Sequence, residues 1–352
     1  LTDQLYRLSW YLPQRKNSSI KVFHTLGNTY NPDELLAVDQ RPAYMHSMPI
    51  NLENVSFLNT DNRLERIKAY LCCLYHTTKG NYLLEWRRQK TFSTRFLRLT
   101  QQVVIIDHTI RSYRSDVNYV TLQDRLDDYS ELIQNKIESK ELFNSLMLDL
   151  RKKYSKTYIF GRGPSLQKVF ELDLSDGACI VVNQTVSNEI LIKHINPDII
   201  IGGDHCWNYG CSKLSERFRQ DAISWVEKHD AFFVVPLDAY SLMLAHFPKL
   251  SGRLIGIPYG AADHNLDLSS DFQTKGSLGV FFEFLFPIAC TIGNEIDMLG
   301  VDGNDVKPGE ERDFKVPFSH YQKADYPDEI IQTIHDSRPG YYDKDQTGFR
   351  DE

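Results

Sequence analysis

Six short segments combine residue types that could do chemistry. The most distinctive is Tyr158–Leu166, YIFGRGPSL. An apolar run enters a glycine-rich turn, and Pro164 marks a helix start. Gly161 and Gly163 permit close backbone approach. Helix-start N–H groups and the Ser165 hydroxyl suit a nucleotide phosphate. A tight strand-to-helix turn without ligand has the same look. The segment lacks the Walker pattern and the third glycine of a dinucleotide fingerprint.

In Cys179–Gln184, CIVVNQ, an apolar run ends in two amides, Asn183 and Gln184. An amide both donates and accepts, which suits a base, a ribose or a sugar hydroxyl; a helix-capping Asn is the plainer alternative. Asn196–His205, NPDIIIGGDH, ends another apolar run at Asp204. That carboxylate could hold a sugar hydroxyl, a ribose or a metal. Lys275–Val280, KGSLGV, opens an apolar helix, where Ser277 and Gly279 could form a second anion-binding helix start. Ile296–Asn304, IDMLGVDGN, places Asp302 just beyond a further strand. Last, Phe318–Tyr321, FSHY, carries His320 and Tyr321 in a polar stretch. A histidine beside a cleft can act as a general base near neutral pH, although a lone one is more often structural.

Positioning these segments requires an α/β sheet. After Tyr154, β-type runs recur at 157–160, 178–182, 198–201, 231–235, 253–257 and 295–299. Helical patterns at 187–195, 215–229 and 278–291 fill gaps between them. Such alternation predicts a Rossmann-like, mostly parallel sheet with crossover helices. Apart from Lys275–Val280, which opens a helix, these segments then fall at or beyond strand ends, where open α/β sheets bind ligands.

Upstream, Ile20–His24 and Val103–Ile106 read as strands, and Tyr119–Leu122 as another. Thr60 or Asp61 caps a helix to about His76, with Leu64, Ile67, Leu71 and Leu74 on one face. A longer helix spans about 123–153, with Leu126, Tyr129, Ile133, Ile137, Leu142, Leu146 and Leu150 at near-helical spacing. Pro32–Pro49 reads as an irregular loop. The basic stretch Arg87–Arg98 reads as a solvated helix face. Three regions follow: a mixed α/β accessory region at 1–150, a Rossmann-like domain at 151–336, and a polar tail at 337–352.

A net charge of −7 argues against general nucleic-acid binding. The six cysteines sit mostly in apolar runs, which favours a reducing, cytoplasmic setting. His205, Cys206 and Cys211 fit no zinc spacing, so no metal is assigned. The longest apolar run, Val280–Ile288, is interrupted by Glu283 and is too short to span a bilayer. With no Met at its start, the chain reads as part of something longer.

Taken in order, GRGPSL, VVNQ, NPDIIIGGD, SLGV, MLGVDGND and SHY resemble the CMP-sialic acid transferases of the Campylobacter type. They also resemble the related Maf-type and archaeal MptE-like proteins of unknown-function family 115. The resemblance covers about Tyr158–Tyr326. It implies a GT-A-variant fold, a CMP-activated nonulosonic acid donor, inversion at the anomeric carbon and no required metal. By position, Gly161, Arg162, Gly163, Pro164 and Ser165 would line the donor phosphate. Asn183, Gln184 and Asp204 would contact the nucleoside or sugar, with Ser277, Gly279 and Asp302 nearby. Arg162 stands where the sialyltransferases carry Asn. Ala324 and Asp325 stand where their catalytic His falls, so His320 becomes the nearest base, with Tyr321 beside it. Partners implied are an activated sugar donor and a glycan or lipid-linked acceptor, with room for contact at the inner membrane face and for a homo-oligomer. Two other classes fit the same segments. One is a phosphate or pyrophosphate transferase of the MptE-like type, needing Mg²⁺, or a transferase using another donor such as phosphoribosyl pyrophosphate. The other is a binding module that keeps the fold without activity.

Overall fold

A computed structural model of the chain describes residues 10–13, 20–24, 55–59, 63–79, 83–86, 103–106, 119–120, 122–126, 129–161, 163–210, 213–276 and 279–301. Two compact units divide it, Leu1–Leu122 and Gln123–Glu352. The division falls ahead of the long helix, not at its end near residue 150. That helix therefore belongs with the sheet it precedes.

In the first unit, β1 (Ile20–His24) pairs in parallel with β2 (Val55–Asn59). Helix α1 (Arg63–Thr78) follows, and then β3 (Leu83–Trp86) pairs in parallel with β4 (Val103–Ile106). The expected apolar face of α1 is largely on the outside: Leu64, Ile67 and Leu71 are exposed, whereas Ala69 and Thr77 are buried. Tyr119 and Val120 are helical rather than extended. Their aromatic and β-branched side chains favour strand only as surfaces to pack. Here helical backbone serves that packing equally well: both residues are fully buried, and the Tyr119 ring stacks on Tyr11 at 5.0 Å. The segments Pro32–Pro49 and Arg87–Arg98 lie outside the described residues.

The expected helix over 123–153 is described as two, α2 (Leu122–Leu126) and α3 (Tyr129–Lys153). Helix α3 ends in Arg151, Lys152 and Lys153, the charge sign its C-terminus favours. Its buried residues begin at Ser139 and continue through Phe143, Leu146, Met147 and Leu150. Tyr129, Ile133 and Ile137, expected on the same face, are exposed.

Six strands follow: β5 (Lys156–Phe160), β6 (Gly177–Val182), β7 (Ile199–Ile201), β8 (Phe232–Pro236), β9 (Leu254–Ile257) and β10 (Ile296–Leu299). Each matches an apolar run expected from sequence. They form one sheet of order β10-β5-β6-β7-β8-β9, and every pairing is parallel. The chain winds stepwise from β5 to β9, then returns to place β10 outside β5. This is an α/β, Rossmann-like fold, although its order is not that of a dinucleotide-binding sheet.

Both faces of the sheet are covered, which explains strands that are apolar throughout. One face buries Ile159, Ile180, Ile199, Ile201, Val234, Ile255 and Ile257 under α3 and helix α7 (Phe286–Ile292). The alternate residues, among them Phe160, Val181, Ile200 and Phe233, are buried on the other face. There the crossover helix α5 (Lys213–Lys228) sets Phe218 against Phe233, ring centroids 6.0 Å apart. Two further helices complete the crossovers, α4 (Glu189–Ile195) and α6 (Leu237–His246). Because the strands are parallel, all six carboxyl ends lie along one edge.

Candidate functional site

The β5 glycine turn is built around its neighbour β10. The Gly161 N–H donates to the Leu299 carbonyl at 2.8 Å, and the Gly163 N–H to the Gly300 carbonyl at 2.7 Å. The Gly300 N–H donates in turn to Ser165 Oγ at 2.8 Å. A Cβ on Gly161 would stand 2.2 Å from the Gly300 oxygen, and Gly300 has a left-handed φ of +70°. Close backbone approach is therefore real, but the approaching partner is the next strand. Pro164 does open a helix, the 3-10 segment Pro164–Glu171. Within it the Leu166 N–H bonds the Gly163 carbonyl at 3.1 Å. The Gly163 amide is thus spent on Gly300 and the Leu166 amide on the turn itself, and neither is available to a phosphate.

At the next two strand ends, Asn183 and Asp204 meet. Asn183 follows β6 and holds φ at +49°, a left-handed conformation that Asn tolerates better than most residues. Its Oδ1 accepts from the Gly203 N–H at 3.1 Å, and its Nδ2 donates to Asp204 Oδ2 at 2.7 Å. It is therefore a cross-strand tie, not a cap. The capping role falls to Asn188, whose Oδ1 accepts from the Leu191 N–H at the start of α4. Gln184 sits half-buried beside Asn183. Asn208 Nδ2 donates to the same Asn183 Oδ1 at 2.8 Å.

Beyond Asp204 the chain makes a π-helical turn, His205–Tyr209. Arg219 on α5 pins it by donating to the carbonyls of Asn208 at 3.0 Å and Gly210 at 2.6 Å. The Tyr209 hydroxyl donates to the Gly202 carbonyl. A second π-helical turn, Phe281–Leu285, arrives from the β9–β10 connection. Gly279 opens it, its carbonyl accepting from the N–H groups of Phe282 and Glu283. The two turns approach closely: a Cβ on Gly203 would lie 2.5 Å from both methyls of Val280. Such turns are often found at functional sites.

Five side chains gather here that the sequence patterns did not group. His205 Nε2 lies 2.8 Å from Asp238 Oδ1, on the first turn of α6 after β8. The Tyr259 ring, just past β9, lies over His205 with centroids 6.4 Å apart and planes 29° apart. The Tyr259 hydroxyl donates to Glu283 Oε2 at 3.3 Å. Tyr209 meets the His205 ring edge-on at 6.4 Å. Burial pulls the His205 pKa down. The Asp238 hydrogen bond, with the charges of Asp238, Asp204 and Glu283, outweighs that pull and leaves it above the ordinary histidine value. The Tyr259 phenol is pushed far up, first by burial and then by the Glu283 charge, so it stays protonated and donating.

Among the expected site residues, Asn183 and Asp204 are brought into contact with each other. Gly161, Gly163 and Ser165 interlock with Gly300 on the same sheet edge. Arg162, Ser277, Asp302, His320 and Tyr321 lie outside the described residues, as does the side chain of Pro164. No group of three or more His, Cys, Asp or Glu that could hold a metal occurs among the described residues. No described helix is long and apolar enough to cross a membrane. Compared with known proteins, the chain matches no family model, no curated protein and no solved structure.

Proposed function

We propose that the chain is a glycosyltransferase that binds an activated sugar donor along the carboxyl edge of its sheet. The observation that carries this reading is the Asn183–Asp204 tie. An amide and a carboxylate, 2.7 Å apart on adjacent strand ends, form the donor–acceptor set that neighbouring hydroxyls of a ribose or sugar require. The order of sequence segments resembling CMP-sialic acid transferases makes a CMP-sugar the favoured donor and a glycan or lipid-linked chain the acceptor. The reaction is a direct displacement with inversion, needing one base and no protein nucleophile.

A thermal-shift series with CMP, UDP, GDP, ADP and phosphoribosyl pyrophosphate, each with and without Mg²⁺, tests the reading. A ligand at one hundred times its dissociation constant adds about 2.7 kcal/mol of stability. Stabilisation by CMP without metal supports it. Stabilisation only by another nucleotide or the pyrophosphate, and only with Mg²⁺, replaces it with the metal-dependent phosphate-transferase alternative. No shift with any of them favours a binding module of another kind.

A further inference from the structure

His205 is better oriented than a structural histidine needs to be. Three side chains fix it, two of them from distant parts of the chain. Asp238 holds Nε2, Tyr259 lies over one face of the ring, and Tyr209 closes an edge. The backbone carrying it is itself pinned, by Arg219 from one side and by the Gly203–Val280 contact from the other. Its side chain is 11% exposed and that of Asp238 is 27% exposed, so the pair is packed yet reaches the surface of the strand edge. The Nε2 proton is assigned by its carboxylate partner, which leaves the lone pair of the neutral ring on Nδ1. The neighbouring residue in the chain is Asp204, the carboxylate tied to Asn183.

We propose that His205, oriented by Asp238, is the proton acceptor of this site, and that its Nδ1 takes the proton of the acceptor hydroxyl. The proposal rests on the glycosyltransferase reading. In the step, the acceptor oxygen forms a bond to the anomeric carbon as its proton passes to Nδ1. The bond from that carbon to the nucleotide phosphate breaks, and its electron pair leaves with the phosphate oxygen. Asp238 does not take a proton; it fixes the tautomer and stabilises the imidazolium, which makes it a positioning residue. The charged or titratable groups facing His205 are Asp238 from α6, Asp204 from the end of β7, Tyr209 from its own turn, Tyr259 after β9, and Glu283 through Tyr259. Their carboxylates favour the protonated ring, which strengthens the base.

The test uses the full chain with a CMP-sugar, reading both transfer to glycan acceptors and donor hydrolysis, for wild type, His205→Gln, Asp238→Asn and His320→Ala. Melting curves and CMP shifts are taken alongside. His205→Gln is expected to lower kcat by about 10²–10⁴-fold, the usual scale for losing a general base, with CMP binding unchanged. Asp238→Asn keeps the shape of the pair and is expected to move the rising limb of kcat against pH to lower pH, because the carboxylate no longer raises the His205 pKa. That shift keeps the proposal testable if His205→Gln fails to fold. Wild-type kcat in His205→Gln, or an unmoved limb in Asp238→Asn, overturns the proposal. So does loss of turnover in His320→Ala alone, and in each of these three cases the transferase reading survives. A wild type that neither binds CMP nor consumes any sugar donor refutes the transferase reading, and the role of His205 falls with it.

Discussion

Gly161→Ala separates two explanations of the glycine turn. If the glycine serves only a ligand, the substitution leaves the unliganded protein intact. The structure gives a different expectation. The new Cβ would stand 2.2 Å from the Gly300 oxygen and 2.9 Å from its carbonyl carbon, both backbone atoms of the neighbouring strand end. Relief requires β10 to move away from β5 at its carboxyl end. That movement strains the bonds from Gly161 to Leu299, from Gly163 to Gly300, and from Gly300 to Ser165. At about 1 kcal/mol net each, their loss costs about 3 kcal/mol. The stiffer unfolded chain returns about 0.4–1 kcal/mol. A net loss of about 2–3 kcal/mol corresponds to a fall of about 4–12 °C in Tm for a domain of this size. Thermal and urea melts of the ligand-free protein measure it. Gly252→Ala serves as the control: Gly252 has φ +81° with nothing within 4 Å of its added Cβ, so only the left-handed strain of about 1–2 kcal/mol applies. A Gly161→Ala protein within about 0.5 kcal/mol of wild type, the range of an ordinary surface change, refutes the interlock.

Three further outcomes are expected. Asn183→Ala loses three hydrogen bonds and places a Cβ residue without Asn's tolerance at φ +49°, so it costs about 4 kcal/mol; Asn183→Gly keeps the backbone and costs about 3 kcal/mol, as urea midpoints will show. Gly203→Ala overpacks against Val280 by about 1–3 kcal/mol, and Val280→Ala in the same chain restores part of it; additive losses in that double-mutant cycle contradict the contact. His205 has a folded pKa above its unfolded value, so the stability it contributes is fully present below about pH 6.5 and is lost as pH rises through the folded pKa. Urea midpoints from pH 5 to 9 should show that decline in wild type and a smaller one in Asp238→Asn, and superposable profiles would contradict the pairing.

The sheet is legible in the sequence because burial on both faces demands unbroken apolar runs, and IVV, III, FFVV and LIGI stand out from their polar surroundings. The weaker strands β2 and β3 do not: VSFLN and LLEW are short and carry polar or charged residues within their few positions. Tyr119–Leu122 misleads because aromatic and β-branched residues report a packed surface, which a buried helical turn also offers. Asn183 and Asp204 are legible as polar residues that end apolar strands. The His205 group is not, because it assembles across 33 positions to Asp238 and, separately, across 24 from Tyr259 to Glu283. His205 by itself reads only as a poor zinc ligand beside two cysteines. One signal for this group exists in the sequence. Glu283 interrupts the run Val280–Ile288, and a carboxylate within an apolar helix needs a buried partner. It counts against a membrane span and also points to an interior polar group.

The return of β10 to the outside of β5 also governs when the sheet is finished. Ser165 and Gly300, which bond across that seam, are 135 positions apart. On a ribosome adding about 5–20 residues per second, the second emerges about 7–27 s after the first. During that interval β6 to β9 can add to one side of β5 in order of synthesis. The other side keeps its backbone donors and acceptors open, and an open strand edge is a template for pairing with other chains. The glycine pair that closes the seam therefore ends the interval in which β5, apolar on both faces, is itself an edge strand, and hands that edge to β10.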